Sequence, residues 1–200
     1  MDLAGKRVTV MGMARSGLSA ARLALRKGAR VTCTDRKADA PAVEGATCVY
    51  GEHRREDFTG ADLVVVSPGV PAAAPDIQAA IAAGVPVLGE LAFAAQYLRA
   101  PMLAVTGTNG KSTTTHLLAQ LLAQAGLRTF AGGNLGRPLS EAVDEELDVV
   151  AVEVRGPRVR MVRGKSVASR AKTPAWKRCA ARARVRWRRR PSGFASTAMA

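Results

Sequence analysis

A turn reading GTNGKST combines glycine, lysine and hydroxyl side chains directly after an apolar run. Gly107 and Gly110 would allow consecutive backbone N–H groups to point at phosphate oxygens. Lys111 could then reach the β- and γ-phosphates, and the Ser112 hydroxyl could ligate Mg²⁺. The general phosphate loop has its first glycine five residues before the second, where this chain has Val105. The pattern predicts a variant phosphate loop; an ordinary turn rich in Gly and Thr is the alternative.

A carboxylate, Glu153, stands near the end of an apolar run at residues 148–154. In phosphate-loop proteins an acid on a neighbouring strand completes the Mg²⁺ shell, and this hard ion prefers oxygen ligands. Glu153 is therefore a candidate Mg²⁺ ligand together with Ser112. A strand-end acid that faces solvent is the alternative interpretation.

A second glycine turn, GMARSG, occupies residues 12–17 after another apolar run. Asp35 follows Gly17 by 18 residues and ends the next apolar run. This spacing approximates the dinucleotide fingerprint, in which glycines admit a pyrophosphate to a helix N-terminus and an acid binds the ribose. Ala14 stands at the middle glycine position, where a Cβ limits the approach of the backbone to phosphate. The turn favours a nucleotide-diphosphate site of another kind, with NAD(P) binding as the alternative.

The elements that must position these turns follow from the periodicity of the chain. Strands are predicted at residues 6–12, 30–34, 62–67 and 85–88, with a weaker one at 47–50. Helices are predicted at residues 15–27 and 75–83. Such alternation is typical of a mostly parallel sheet with helices on both faces.

The alternation restarts after Pro101, which indicates a domain boundary between residues 97 and 101. A strand is predicted at residues 101–106, a helix at 111–125 and a buried strand at 148–154. Four leucines of the helix are expected to face inward: Leu117, Leu118, Leu121 and Leu122. We therefore predict domains at residues 1–98 and 99–154, followed by a separate tail at residues 155–200.

The formal net charge of +14 belongs entirely to that tail. Residues 1–154 contain 15 Lys+Arg and 16 Asp+Glu, whereas residues 155–200 contain 15 Lys+Arg, no acid, no Leu and no Ile. The tail could be an arm that contacts nucleic acid or another anionic surface, or a disordered extension without a partner. The third interpretation, a reading-frame change after Val154, agrees best with the abrupt change of composition.

Several classes of protein are excluded or disfavoured by composition. No apolar run is long enough to cross a membrane, and the N-terminus lacks the layout of a signal peptide, so we expect a cytoplasmic location. Cys33, Cys48 and Cys179 form no metal-binding or disulfide pattern. We expect no membrane partner, no specific nucleic acid partner and a monomeric state.

The ordered motifs of residues 1–154 resemble the Mur ligase family. They are the GMARSG turn, Asp35-Arg36, SPGV at 67–70, GEL at 89–91, TGTNGKST at 106–113, GNLG at 133–136 and VEV at 152–154. The first domain and its SPGV segment point to the D-glutamate-adding members, and the L-alanine-adding members are the nearest alternative. The resemblance implies an α/β fold with a Rossmann-like parallel-sheet N-terminal domain, a truncated P-loop central α/β domain, and a basic tail that is disordered or frame-shifted.

The resemblance also implies an activity and a set of site residues. The activity would be an ATP-dependent ligation of D-glutamate to UDP-N-acetylmuramoyl-L-alanine through an acyl phosphate in peptidoglycan synthesis, with ATP and Mg²⁺ as cofactors. The implied ATP-binding residues are Gly107, Thr108, Asn109, Gly110, Lys111, Ser112 and Thr113, with Lys111 as the catalytic residue and with Ser112 and Glu153 on the metal. The implied substrate-binding residues are Ser16, Gly17, Asp35, Arg36, Ser67, Gly69 and Asn134.

The chain departs from the family pattern after Val154. The family continues Ser-Ser-Tyr/Phe-Gln, whereas this chain reads RGPR, and Ala92 stands where many relatives have a second acid. The rest of the ATPase domain and the domain that binds the amino acid have no counterpart in these 200 residues. We therefore expect a chain that is inactive as a ligase, poorly stable beyond Pro101, and left with uncovered apolar strand edges. A fragment that binds nucleotide or nucleic acid without catalysis is the alternative function.

Overall fold

A computed structural model describes residues 1–133 and 136–154 of the 200-residue chain. Within these residues the chain forms two parallel sheets. The sequence-based expectations for Asn134 and for residues 155–200 lie outside the described residues.

The first sheet contains five parallel strands in the order β3-β2-β1-β4-β5. The strands are β1 (Arg7–Met11), β2 (Arg30–Asp35), β3 (Thr47–Tyr50), β4 (Leu63–Val66) and β5 (Val87–Gly89). The helices are α1 (Arg15–Arg26), α2 (Arg55–Thr59), α3 (Pro75–Ala82) and α4 (Glu90–Ala94). Strand order reverses at β1, so the turn that follows β1 lies at the switch point where α/β sheets bind ligands.

The central strands of this sheet are apolar on both faces. On β4, Leu63 and Val65 pack with α1 and α4, whereas Val64 packs on the opposite face with Phe58 of α2 and Ile77 of α3. Successive residues of a strand point to opposite faces, so a strand covered by helices on both sides must be apolar throughout. This requirement explains the LVVV run of β4.

The second sheet contains three parallel strands in the order β6-β8-β7. Its elements along the chain are β6 (Met102–Val105), α5 (Lys111–Gln124), β7 (Thr129–Gly133), α6 (Leu139–Ala142) and β8 (Val149–Glu153). All five residues of the central strand β8 are buried, whereas the edge strand β6 leaves Met102 and Leu103 exposed. The exposed apolar residues agree with the expectation of an uncovered strand edge.

The structure confirms the predicted strands and helices to within one or two residues at most of their ends. It adds α2, α4, β7 and α6, which the periodicity did not reveal because each is only four or five residues long. No described helix is long and apolar enough to span a bilayer.

The expectation for α5 is wrong at two positions. Leu117 and Leu121 are 55% and 56% exposed, while Thr115 and Ala119 are the buried residues of this helix. The helix packs on β7 and β8. Successive helix residues are about 100° apart, so Leu117 and Leu121, each two positions after a buried residue, lie on nearly the opposite face and meet solvent.

Candidate functional site

The GTNGKST turn connects the end of β6 to the start of α5, as the sequence predicted. Gly107 has φ of +146° and Gly110 has φ of +75°, and glycine adopts such conformations without the Cβ penalty of other residues. Gly110 directly precedes the first residue of α5, and no described side chain caps this helix. The first N–H groups of α5 are therefore available to an anion, which the helix dipole also favours.

The Lys111 ammonium lies over the same turn and donates to the Thr108 carbonyl at 3.1 Å. Lys111 and Ser112 are half-buried, whereas Thr108, Asn109 and Thr113 are exposed. The turn thus presents a cation, backbone N–H groups and hydroxyls on one accessible surface. This combination is what binding of a polyphosphate requires.

The Ser112 hydroxyl donates to Glu153 Oε2 at 2.7 Å across the second sheet. Glu153 ends β8, is only 5% exposed, and is the register partner of Val105 at the end of β6. Parallel strands bring their carboxyl ends to one edge, so the acid predicted from the 148–154 run lies beside the phosphate loop. Both oxygens fit Mg²⁺, because this ion takes oxygen ligands and completes its shell with phosphates and water.

The end of β7 lies beside Glu153, on the side of β8 opposite β6. A Cβ placed on Gly133 would lie 2.5 Å from the Glu153 carbonyl oxygen, so the backbone here approaches β8 more closely than a side chain allows. The Gly133 N–H donates to the Arg137 carbonyl at 3.0 Å. Asn134 itself is outside the described residues.

The first glycine turn is organised by backbone contacts with β2. The Gly12 N–H donates to the Thr34 carbonyl at 2.9 Å, and the Met13 N–H donates to Asp35 Oδ2 at 2.6 Å. The other carboxylate oxygen of Asp35 accepts the Lys37 N–H at 3.0 Å. Asp35, the last residue of β2, therefore fixes the position of the turn through its hydrogen bond from Met13.

The remaining residues of the first predicted site surround this turn. A Cβ placed on Gly12 would lie 2.7 Å from Val70 Cγ2 and 3.0 Å from Ser67 Cβ, so the SPGV segment packs against it. Ser67 is buried, while Gly69 and Arg36 are exposed near the same edge. The amino end of α1 has no side-chain cap, so its N–H groups, with those of half-buried Ser16 and buried Gly17, are available for a diphosphate.

Glu90 is a residue to which the sequence assigned no role. It begins α4, is 2% exposed, and its Oε1 accepts the Ser140 N–H at 2.7 Å and the Ser140 hydroxyl at 2.6 Å. Burial raises the pKa of this carboxyl above its usual value, and the two hydrogen bonds from Ser140 oppose that rise. The sequence signals were the GEL motif at 89–91, which counted toward the family resemblance, and the presence of an acid within an otherwise apolar stretch.

Two protein-family models match this chain. The model described as "Mur ligase MurD-like, N-terminal domain" covers residues 6–89, and the "Mur ligase middle domain" model covers residues 105–158. The first match contains the GMARSG turn, Asp35 and the SPGV segment, and the second contains the phosphate loop and Glu153. The chain belongs to the Mur ligase family, and its N-terminal domain is of the MurD-like type.

Curated relatives agree with the family models. The chain is 57% identical over 151 residues to the UDP-N-acetylmuramoylalanine--D-glutamate ligase of Anaeromyxobacter dehalogenans, covering 71% of this chain and 32% of the relative. It is 46% identical over 174 residues to the ligase of the same name from Myxococcus xanthus, covering 82% of this chain and 38% of the relative. This chain thus spans about a third of the length of the curated relatives it matches.

A solved structure also resembles the fold. The murein peptide ligase mpl from Psychrobacter arcticus is 21% identical, with a TM-score of 0.48, covering 76% of this chain and 38% of that chain. The two family models confirm the family resemblance, and the two parallel sheets confirm the predicted α/β fold. The domain boundaries and the individual site residues stay predictions.

Proposed function

We propose that this chain contains the two nucleotide-binding parts of an ATP-dependent ligase that adds D-glutamate to UDP-N-acetylmuramoyl-L-alanine. We take the substrate from the names of the relatives, and we infer nucleotide binding from the two glycine turns. The hydrogen bond between Ser112 and Glu153 is the observation that most strongly supports the proposal. It joins a phosphate-loop hydroxyl to a strand-end acid, which is the pairing that a Mg²⁺–nucleotide site requires.

The first turn would bind the diphosphate of the uridine nucleotide. Ser16 and Gly17 would contact phosphate oxygens at the amino end of α1, because backbone N–H groups and the helix dipole both favour an anion there. Asp35 and Arg36 would lie near the ribose or uracil, with Ser67 and Gly69 lining the same cleft. Asn134 would contact the muramoyl part.

The phosphate loop would bind ATP through the N–H groups of residues 107–113, with Lys111 close to the β- and γ-phosphates. Mg²⁺, when bound by Ser112 and Glu153, would offset the negative charge of these phosphates. In a complete ligase of this family, a carboxylate oxygen of the substrate would attack the γ-phosphorus and ADP would leave, which would produce an acyl phosphate. The amine of D-glutamate would then attack the acyl carbon and lose a proton, an amide bond would form, and phosphate would leave. Lys111 would stabilise the charge of the transferring phosphoryl group.

Calorimetric titration of the purified chain tests both sites. We expect binding of UDP-N-acetylmuramoyl-L-alanine and, separately, of Mg·ATP. Lys111→Ala should weaken Mg·ATP binding by about tenfold or more, because charge-assisted contacts to phosphate are lost, while the sugar nucleotide binds unchanged. Lys6→Ala, at an exposed lysine directly before β1, is the matched control. Retention of Mg·ATP affinity in Lys111→Ala would contradict the assignment of the loop.

Turnover is a separate measurement. ADP release in the presence of UDP-N-acetylmuramoyl-L-alanine, D-glutamate and Mg·ATP tests the expectation that these 200 residues do not complete the reaction. Sustained ADP formation that depends on D-glutamate would overturn that expectation and would leave the two binding assignments intact. NAD(P) binding in place of the sugar nucleotide would overturn the assignment of the first turn.

A further inference from the structure

Glu90 is a buried carboxylate that neither proposed nucleotide contact uses. It lies in the first helix after β5, and its two hydrogen bonds go to Ser140, 50 residues later in the chain and on α6. A buried carboxylate is costly unless it accepts hydrogen bonds, so this contact must form together with the packing of α4 on α6. Glu90 therefore connects α4, which follows the last strand of the first sheet, to α6, which precedes β8.

Helix α6 is in turn connected to the phosphate-loop region. The Arg137 carbonyl accepts the Gly133 N–H, and Gly133 lies against the Glu153 backbone. The Arg137 guanidinium lies 4.7 Å from the centre of the Phe130 ring on β7. Any displacement of α6 would therefore move the end of β7 and the backbone beside Glu153.

The same helix contacts the first glycine turn. Glu141 accepts the Ser19 hydroxyl at 3.3 Å and lies 3.5 Å from the Arg15 guanidinium. Arg15 belongs to the GMARSG turn and is the first residue of α1. Helix α6 thus has contacts that lead to both glycine turns. Its buried contact with α4 is the pair of hydrogen bonds from Ser140 to Glu90.

We propose that Glu90 is a positioning residue that holds the amino end of α6 through Ser140 and thereby keeps the end of β7 in place beside Glu153. The link to nucleotide binding rests on the proposed function. The hydrogen bond from the Ser140 N–H satisfies a backbone donor at the start of a helix that no side chain of its own segment caps. Removal of the carboxylate leaves two donors of Ser140 without an acceptor inside the protein.

Hydrogen exchange followed by mass spectrometry tests the positioning role without any ligand. In Glu90→Ala we expect exchange in residues 129–142 to accelerate about tenfold or more, with β1 and β2 unchanged, because the loss is local to α6 and β7. Glu90→Gln keeps a carbonyl acceptor at the same place and should restore most of the protection. Glu146→Gln is the matched control, because its side chain is 90% exposed and its ion pair with Arg128 lies at the surface.

A uniform acceleration in both sheets would overturn the proposal, because Glu90 would then be an ordinary core residue. Unchanged exchange in residues 129–142 would overturn it as well. If Glu90→Ala does not fold, Ser140→Ala, which removes only the hydroxyl donor, replaces it. This variant should accelerate exchange in residues 129–142 by a smaller factor and leave β1 and β2 unchanged.

Ligand binding supplies the second readout. Glu90→Ala should weaken Mg·ATP binding severalfold, through displacement of the backbone beside Glu153. Sugar-nucleotide binding should weaken less, because the β1 turn is held by hydrogen bonds to β2 and contacts α6 through side chains of Arg15 and Ser19. Equal weakening of both ligands would contradict a role specific to the β7 end. Wild-type protein that binds neither ligand would overturn the proposed function, and the exchange pattern would then decide the role of Glu90 by itself.

Discussion

Gly12 and Gly17 are the residues whose missing side chains shape the first glycine turn. Gly12 has φ of +88° and packs against the SPGV segment. A Cβ on Gly17 would collide with the Gly12 carbonyl, a backbone atom that cannot move aside. The turn consequently requires glycine at both ends, and its middle residue, Ala14, is exposed.

Gly17→Ala should destabilise the protein by about 1–3 kcal/mol, because the backbone of the turn must shift to relieve the overlap. Urea unfolding measures this change. Gly89→Ala is the matched control, since a Cβ at Gly89 meets nothing within 4 Å and its φ is −72°. Equal stability of the two variants would contradict the packing described for the turn.

Cys33 is a fully buried thiol on β2, in register with half-buried Cys48 on β3. Burial, with a smaller contribution from Cys48, raises the pKa of Cys33 to about 12. The reactive thiolate is therefore scarce at neutral pH.

Alkylation by iodoacetamide at pH 8 should modify Cys33 about a thousandfold more slowly in the folded protein than in urea, because so little thiolate is present. Peptide mass spectrometry separates Cys33 from Cys48, which should react first in the folded protein. Rapid modification of Cys33 before Cys48 would show that this strand is open to solvent.

At the scale of the element, α5 and β6 differ from the helices and strands of the first sheet. Met102, Leu103, Leu117 and Leu121 are all exposed large apolar residues. Leu139 on α6 is instead fully buried in the main core. Hydrophobic type by itself does not tell which of these side chains contributes to stability.

Leu117→Lys should change the free energy of unfolding by no more than about 0.5 kcal/mol, because the side chain already faces solvent. Leu139→Ala should cost about 2–5 kcal/mol through the cavity it creates. Urea titration of both variants gives the comparison. A large loss in Leu117→Lys would mean that α5 packs through its leucines, as the sequence had suggested.

At the scale of the whole molecule, charged contacts join α1 to the segment after α6, in addition to the buried contact of Glu90. Arg26 and Lys27 donate to Asp144 at 2.8 and 3.3 Å. Burial acts to raise the pKa of Asp144, but the hydrogen bonds from Lys27 and Arg26 outweigh it and lower the pKa. These pairs are half exposed, so each contributes little to stability compared with the buried contact.

Glu90 should make stability depend on pH, because its folded pKa is raised above the usual value of 4.5. A carboxyl of this kind contributes most below that value, and the contribution is lost as pH rises through the folded pKa. The stability difference between wild type and Glu90→Gln should therefore shift in favour of Glu90→Gln from about pH 4.5 upward. Urea unfolding of both proteins from pH 4.5 to 8 measures this. A difference that stays constant, or shifts toward the wild type, would contradict the raised pKa.

The uneven charge of the chain also has a measurable consequence. Residues 155–200 contain 15 Lys+Arg and no acid. We expect non-specific RNA binding whose affinity falls roughly a thousandfold or more between about 50 and 200 mM salt, as counterions compete for the phosphates. Fluorescence anisotropy with RNAs of unrelated sequence, and with a chain lacking residues 155–200, gives the test. Salt-independent binding, or a clear preference for one sequence, would contradict it.

Much of the fold follows from local pattern. The LVVV run, the glycine turns, the two longest helices α1 and α5, and α3 with proline at its start all lie where periodicity and turn chemistry predict them. The phosphate loop and Glu153 were also predicted, because adjacent parallel strands bring their carboxyl ends together wherever such a sheet forms. These features depend on residues that are close in sequence or on a rule of sheet topology.

The sequence by itself therefore determined the α/β class, the two glycine turns and the family resemblance. Only the tertiary structure decided that Glu90 binds Ser140 and that Leu117 and Leu121 face solvent. The first is a contact between residues 50 positions apart, and the second depends on which stripe of α5 approaches β8 most closely. Both depend on the packing of distant elements, and no local periodicity carries that information.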